Sequence, residues 1–147
     1  MKDVRAHLDR EEPEYQKAAK ELGLQAIPLL LELVKQNDVM LASKAAYLAS
    51  VIGGRNSADV LEAAAMSPEP VVRVAAASGI RNLPEETAVK LVDRLLVDKD
   101  FGVKKVTLNS ISSTRSAALM ARVEKIAKAD PNKLIREMAE NSLKQVR

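Results

Sequence analysis

The dipeptides Val72-Arg73, Val103-Lys104 and Ile135-Arg136 stand 31 and then 32 residues apart, each shortly after a turn rich in Asp, Ser or Pro. Apolar residues around them return at intervals of three and four, the period of a helix, and no stretch alternates as a strand would. A helical pattern recurring at this interval predicts stacked helical hairpins. A hairpin of that size cannot bury its apolar side alone, so the copies must lie against one another. Met40 stands 32 residues ahead of Val72, which extends the register to four hairpins. Layers about 8–10 Å apart then make a curved rod on the order of 40 Å long.

The 147 residues are expected to form one all-α domain, an α-α superhelix. Residues 1–23 read as an N-terminal helical cap or degenerate repeat, and 24–54, 55–83, 84–114 and 115–147 as the four hairpins. The punctuation fits this division. Pro28 sits in an opening turn, where its missing N–H costs little. Gly53-Gly54 can take the positive φ of a helix C-terminus. Asn56 or Ser57 is the expected cap of the next helix, and Ser67-Pro68-Glu69-Pro70 breaks the chain before the motif helix. The expected core comprises Ile27, Leu30, Leu31 and Val34, then Val72, Ala75, Ala76, Gly79 and Ile80, then Leu91, Val92, Leu95 and Leu96. Glu137, Glu140, Asn141 and Lys144 on the outer positions of the last helix suit a solvated end. They predict an array that is complete there, and a monomer.

Composition removes several kinds of chemistry. No cysteine is present, which excludes disulfides and thiolate catalysis, and a reducing cytoplasm is the expected compartment. The opening MKDVRAHLDREEPEY is charged throughout, and no later run has the length and apolarity of a membrane span. The sole histidine, His7, is expected at the surface, without a nucleophile to serve, so no catalytic residue is assigned. Glu11, Glu12 and Glu14 lack the separated spacing of a calcium loop. Gly53-Gly54-Arg55-Asn56-Ser57 lacks the lysine of a phosphate-binding loop. Neither a metal nor a cofactor is expected. Residues 71–147 carry 15 Lys or Arg against 9 Asp or Glu, and residues 1–70 carry 8 against 11, so the two halves have opposite charge. Nucleic acid would use the basic half. Against it, the aromatics are Tyr15, Tyr47 and Phe101 alone, too few for a stacking platform, and acids interleave with the bases.

The segments SPEPVVRVAAASGI, DKDFGVKKVTLNSI and DPNKLIREMAENSL resemble the turn and second helix of HEAT repeats, particularly the short HEAT-like variety also found in phycobilin lyases. AIPLLLELVKQND resembles the first helix, and the likeness runs over about residues 24–146. Leu41 is read at the place held later by Arg73, Lys104 and Arg136, and Phe101-Gly102 departs from the usual turn. The resemblance implies second helices on the concave side and first helices on the convex side. It implies a binding scaffold that contacts protein, with rarer members acting as chromophore lyases or gripping DNA. It also implies that Arg73, Lys104 and Arg136 form a structural column, each bonded to an acid of its own or the neighbouring turn, with Glu69, Asp100 and Asp130 available.

If Val72, Ala75, Ala76, Ile80 and Leu83 face inward, Val74, Ala77, Ser78 and Arg81 face out. A partner groove is therefore expected with Leu41, Ala42, Ala45, Ala49, Val74, Ala77 and Leu108 as its floor, rimmed by Arg81, Lys104 and Lys105. Alanine is also the best helix former, and the N-terminal segment folding over the patch is the competing expectation. The function expected is a non-enzymatic adaptor holding a protein partner on the concave face. A chromophore-type lyase or a nucleic-acid backbone binder is the alternative.

Overall fold

A computed structural model describes residues 2–146, and among them every regular element is helical. A short helix α1 (Lys2–Leu8) and α2 (Tyr15–Leu22) lead into four hairpins. These are α3 (Ile27–Val34) with α4 (Val39–Ile52), α5 (Ser57–Ala65) with α6 (Pro70–Gly79), α7 (Glu85–Leu95) with α8 (Phe101–Ser112), and α9 (Ala117–Ala129) with α10 (Lys133–Val146). A 3-10 turn over Leu24–Ala26 precedes α3, and another over Ile80–Asn82 extends α6.

The second helices start at Val39, Pro70, Phe101 and Lys133, so the repeat is 31, 31 and 32 residues. That corrects the register expected for the first hairpin. Leu41, rather than Met40, is the counterpart of Val72, Val103 and Ile135, and all four are buried. Ala42, rather than Leu41, stands where Arg73, Lys104 and Arg136 stand later.

One turn chemistry recurs between the helices of a hairpin. Ser67 Oγ accepts from the Glu69 N–H at 3.1 Å, Asp98 Oδ1 from Asp100 at 2.9 Å, and Asp130 Oδ1 from Asn132 at 2.9 Å. In three of the four hairpins the residue closing the turn then caps the helix: Asp38 accepts from Leu41 N, Asp100 from Val103 N and Asn132 from Ile135 N, whereas Glu69 makes no such bond. Asn56 makes no such bond at α5. Ser57 Oγ instead donates to Gly54 O at 2.9 Å.

The helices lie in two layers, α3, α5, α7 and α9 in one and α2, α4, α6, α8 and α10 in the other. Neighbours in the second layer touch more extensively than neighbours in the first, so the rod bends with the second helices inside. The core between the layers is aliphatic and alanine-rich. Ala45, Ala76 and Ala139, one per hairpin at the same register, have 0% exposure, and buried Thr107 completes the row. Small side chains at these positions let adjacent second helices approach closely.

Gly79 marks the tightest approach. A Cβ there would lie 2.9 Å from Ser50 Cβ on α4 and 3.3 Å from Leu61 Cδ2 on α5. Gly79→Ala should therefore lower stability by on the order of 1 kcal/mol, the cost of overpacking outweighing alanine's better helix propensity. Chemical denaturation reads the sign directly; a stabilised variant would show that the α4–α6 contact has slack.

Candidate functional site

The inner layer presents an open groove of about 680 Å³ near its N-terminal end. From α4 it takes Met40, Ser43, Lys44 and Tyr47, and from α6 Val71, Val74, Ala75 and Ser78. The two sets are the same helical stripe one repeat apart, at steps of three, one and three residues. Tyr15 of α2 meets Tyr47 edge-on, ring centroids 4.8 Å apart and planes at 74°. Burial first, and the neighbouring Tyr47 phenol second, push the Tyr15 hydroxyl above its ordinary pKa, so it stays a neutral donor at physiological pH.

The N-terminal segment forms one bank. Lys44 Nζ donates to Leu8 O at 3.1 Å and to Arg10 O at 2.8 Å, tying the end of α1 and the loop after it to α4. Exposed Glu11 and Glu12 follow on that loop, and exposed Arg81 stands on the other bank. The groove is thus apolar and aromatic inside, with acids on one rim and a base on the other.

This is not the floor expected from the sequence. Leu41 and Ala42 are 5% and 1% exposed, and Ala45, Ala49, Ala77 and Leu108 have 0% exposure, so all six belong to the core. For α4 the cause is the one-residue slip of register, which turns a helix by about 100°. Ala77 and Leu108 share a register, and the structure turns that position between the layers. Val74 and Arg81 do line the groove. Lys105 is exposed on α8, outside the groove lining. The usable signal was Met40, Lys44 and Tyr47 recurring at i, i+4 and i+7 with Tyr15 upstream, the chain's only two tyrosines.

The basic residues turn toward the protein. Arg73 holds Asp98 in a fork, Nε to Oδ2 at 2.8 Å and Nη2 to Oδ1 at 3.3 Å, while its Nη1 donates to Ser67 O at 2.9 Å. Lys104 Nζ reaches Asp130 Oδ2 at 2.8 Å, and Arg136 Nη1 donates to Asp130 O at 2.6 Å. The first two bonds each cross to the turn of the next hairpin. The acids used are Asp98 and Asp130, while Asp100 is spent on its helix cap and Glu69 makes no side-chain cap bond. Between the first and second hairpins both members are missing: Ala42 replaces the cation and Ser67 the acid.

On the outer layer, α7 and α9 diverge around a cleft of about 760 Å³ lined by Leu96, Val97, Ile126 and Ala129. Arg122 of α9 spans it to Asp93 of α7, and this hydrogen-bonded carboxylate reinforces the guanidinium's charge. No group of three or more His, Asp or Glu side chains able to hold a metal occurs among the described residues. His7 is not a free surface histidine: its side chain is 11% exposed and Nε2 lies 2.8 Å from Glu21 Oε2, linking α1 to α2.

The sequence over residues 57–144 matches the family model for HEAT repeats. The chain belongs to the HEAT-repeat family. No curated protein matches it. Two solved structures share the HEAT architecture. Human deoxyhypusine hydroxylase, solved in complex with glycerol, is 18% identical with a TM-score of 0.69 over 82% of this chain and 43% of the hydroxylase. The complex of CpcE and CpcF of phycocyanin lyase from Nostoc sp. PCC7120 matches at 20% identity and a TM-score of 0.69, over 87% of this chain and 86% of that one. The chain therefore spans less than half of the hydroxylase, and at these identities both likenesses concern the fold. Among the described residues, no helix of the HEAT array is long and apolar enough to cross a membrane.

Proposed function

We infer that this HEAT array is a non-enzymatic adaptor that holds a protein partner in the groove between α2, α4 and α6. The observation carrying this is the side-chain chemistry of an open concavity. Met40 and Val71 are 60% and 50% exposed beside an edge-on tyrosine pair, the Lys44 ammonium is tied to the Leu8 and Arg10 carbonyls, and Glu11, Glu12 and Arg81 stand on the rims. An apolar and aromatic centre within a polar rim is the anatomy of protein interfaces, where tyrosines commonly act as anchors. The reading as a binder rather than a catalyst is supported by the sole histidine being engaged with Glu21 and by the lack of any cysteine.

Val74 is half-buried at the centre of the groove, so Val74→Glu has room to keep its carboxylate in water while placing charge where the partner would lie. Affinity capture from native extract, followed by mass spectrometry, is expected to recover a protein with the wild type and to lose it with Val74→Glu at unchanged helicity. Equal capture by both would overturn the groove. A pigment or nucleic acid recovered in place of a protein would overturn the adaptor, and for nucleic acid the binding should fall steeply with added salt.

A further inference from the structure

The outer cleft between α7 and α9 holds about 760 Å³, whereas the corresponding interval between α5 and α7 holds a cavity of about 200 Å³. Small-molecule sites commonly span about 300–1,000 Å³. Ala121 and Ala129 are too small to fill the space, and its apolar walls are Leu96, Ile126 and exposed Val97. Three cations line it against two carboxylates. Arg122 is spent on Asp93, through Nε at 2.5 Å and Nη2 at 3.3 Å, and its Nη1 donates to Ala118 O. Lys104 lies at the inner end, its side chain 15% exposed beside that of Asp130 at 2%. An ammonium has three donors, and among the described residues the bond to Asp130 Oδ2 occupies one of them. That acid is already shared: its Oδ1 accepts from Asn132 N, and its carbonyl accepts from Arg136 Nη1. At the preceding junction Arg73, by contrast, engages three nitrogens with Asp98 and Ser67 O. Exposed Lys125 makes no ion pair among the described residues. The cleft therefore lacks one negative charge, and its under-bonded donors belong to a nearly buried ammonium.

We propose that the outer cleft binds a small amphipathic monoanion, a carboxylate or sulfonate carried on an aliphatic or aromatic body. Its head accepts from Lys104 Nζ, with Lys125 adding a second positive charge, and its body lies against Leu96, Val97 and Ile126. A charge-assisted bond to a partly desolvated ammonium is stronger than one between neutral groups, so the head decides which amphiphile is held. An alcohol of the same body would cover the same apolar walls and leave the positive excess unanswered. A cationic amphiphile would be repelled by it. None of the cleft's lining belongs to the inner groove, so this site and the adaptor reading can be tested apart.

Decanoate and anilinonaphthalene sulfonate are the probes, followed by amide NMR on the full chain. Each is expected to bind saturably below its micelle-forming concentration, with shift changes confined to residues 93–97 and 121–131. Decanol should bind about tenfold more weakly than decanoate, and decyltrimethylammonium not at all. Lys125→Glu should weaken decanoate by about tenfold. Ala121 is exposed, so Ala121→Trp should fill the cleft and abolish binding with the helical circular dichroism unchanged. Lys104→Met alone would strand the Asp130 carboxylate, so it is combined with Asp130→Asn, which keeps an acceptor for Asn132 N. This pair should bind decanoate no better than decanol. Equal binding of decanoate and decanol by the wild type would overturn the proposal, as would shift changes centred on the inner groove or binding indifferent to Ala121→Trp. So would a preference for decanoate that survives in the Lys104→Met, Asp130→Asn protein. Failure of both free anions to saturate would overturn it as well, including where the protein instead sediments with phosphatidylglycerol vesicles.

Discussion

Ala45→Glu is expected to unfold the array, whereas Val74→Glu, one helix away, leaves it folded. Ala45 has 0% exposure in the middle of α4, and its counterparts Ala76 and Ala139 are equally enclosed. A glutamate there must bury a carboxylate with no cation facing it, at an effective cost of several kcal/mol. Its added volume costs about 1–3 kcal/mol more in a row that only small side chains fit. Against a total stability of about 5–15 kcal/mol for a domain of this size, that removes most or all of the margin. Circular dichroism at room temperature and the thermal midpoint read the result. A variant with the wild-type midpoint would mean that α4 faces the other way and that Ala45 lies in the groove after all.

The pair of variants also shows what the sequence could and could not specify. The repeat was legible because Val72, Val103 and Ile135 are large aliphatic residues in one setting, and all three prove buried. Gly53 was legible because a φ of 76° is costly for other residues and the helix must end there. The facing of α4 was not. Its eight positions from Ala42 to Ala49 include four alanines, which suit a core row and a solvent face alike, so the apolar pattern tolerates a one-residue slip. Counting from the caps Asp38, Glu69, Asp100 and Asn132 gives the correct step of 31 in the first hairpin. A cap is tied to its helix start by geometry, and an alanine is tied to nothing. The choice of Asp98 over Asp100 was likewise hidden: both sit in one turn, and only the neighbouring hairpin decides which carboxylate meets Arg73. The capture of Leu8 and Arg10 carbonyls by Lys44 is non-local and leaves no periodic trace, yet it builds one bank of the groove.

Asp98→Ala is expected to lower the unfolding free energy by about 3–5 kcal/mol, because it strands a buried cation rather than merely deleting a contact. Arg73 is 8% exposed and commits two of its nitrogens to this carboxylate, so its remaining bond to Ser67 O cannot balance the charge. The alanine also removes the acceptor for Asp100 N, loosening the turn that positions the cap of α8. Arg73→Leu combined with Asp98→Leu should recover much of the loss, since two apolar side chains remove the charge and fill the space. Urea unfolding distinguishes these cases through the midpoint at constant slope. The location adds a second expectation. The pair joins the second hairpin to the third, and stability in stacked repeats is a sum of layers and the contacts between them. Weakening that contact should let the last two hairpins open before the first two, so the Asp98→Ala transition broadens as well as shifts. A transition that moves without broadening would mean that the packing of α6 on α8 holds the halves together by itself, and an unmoved midpoint would mean that the ion pair only balances its own desolvation.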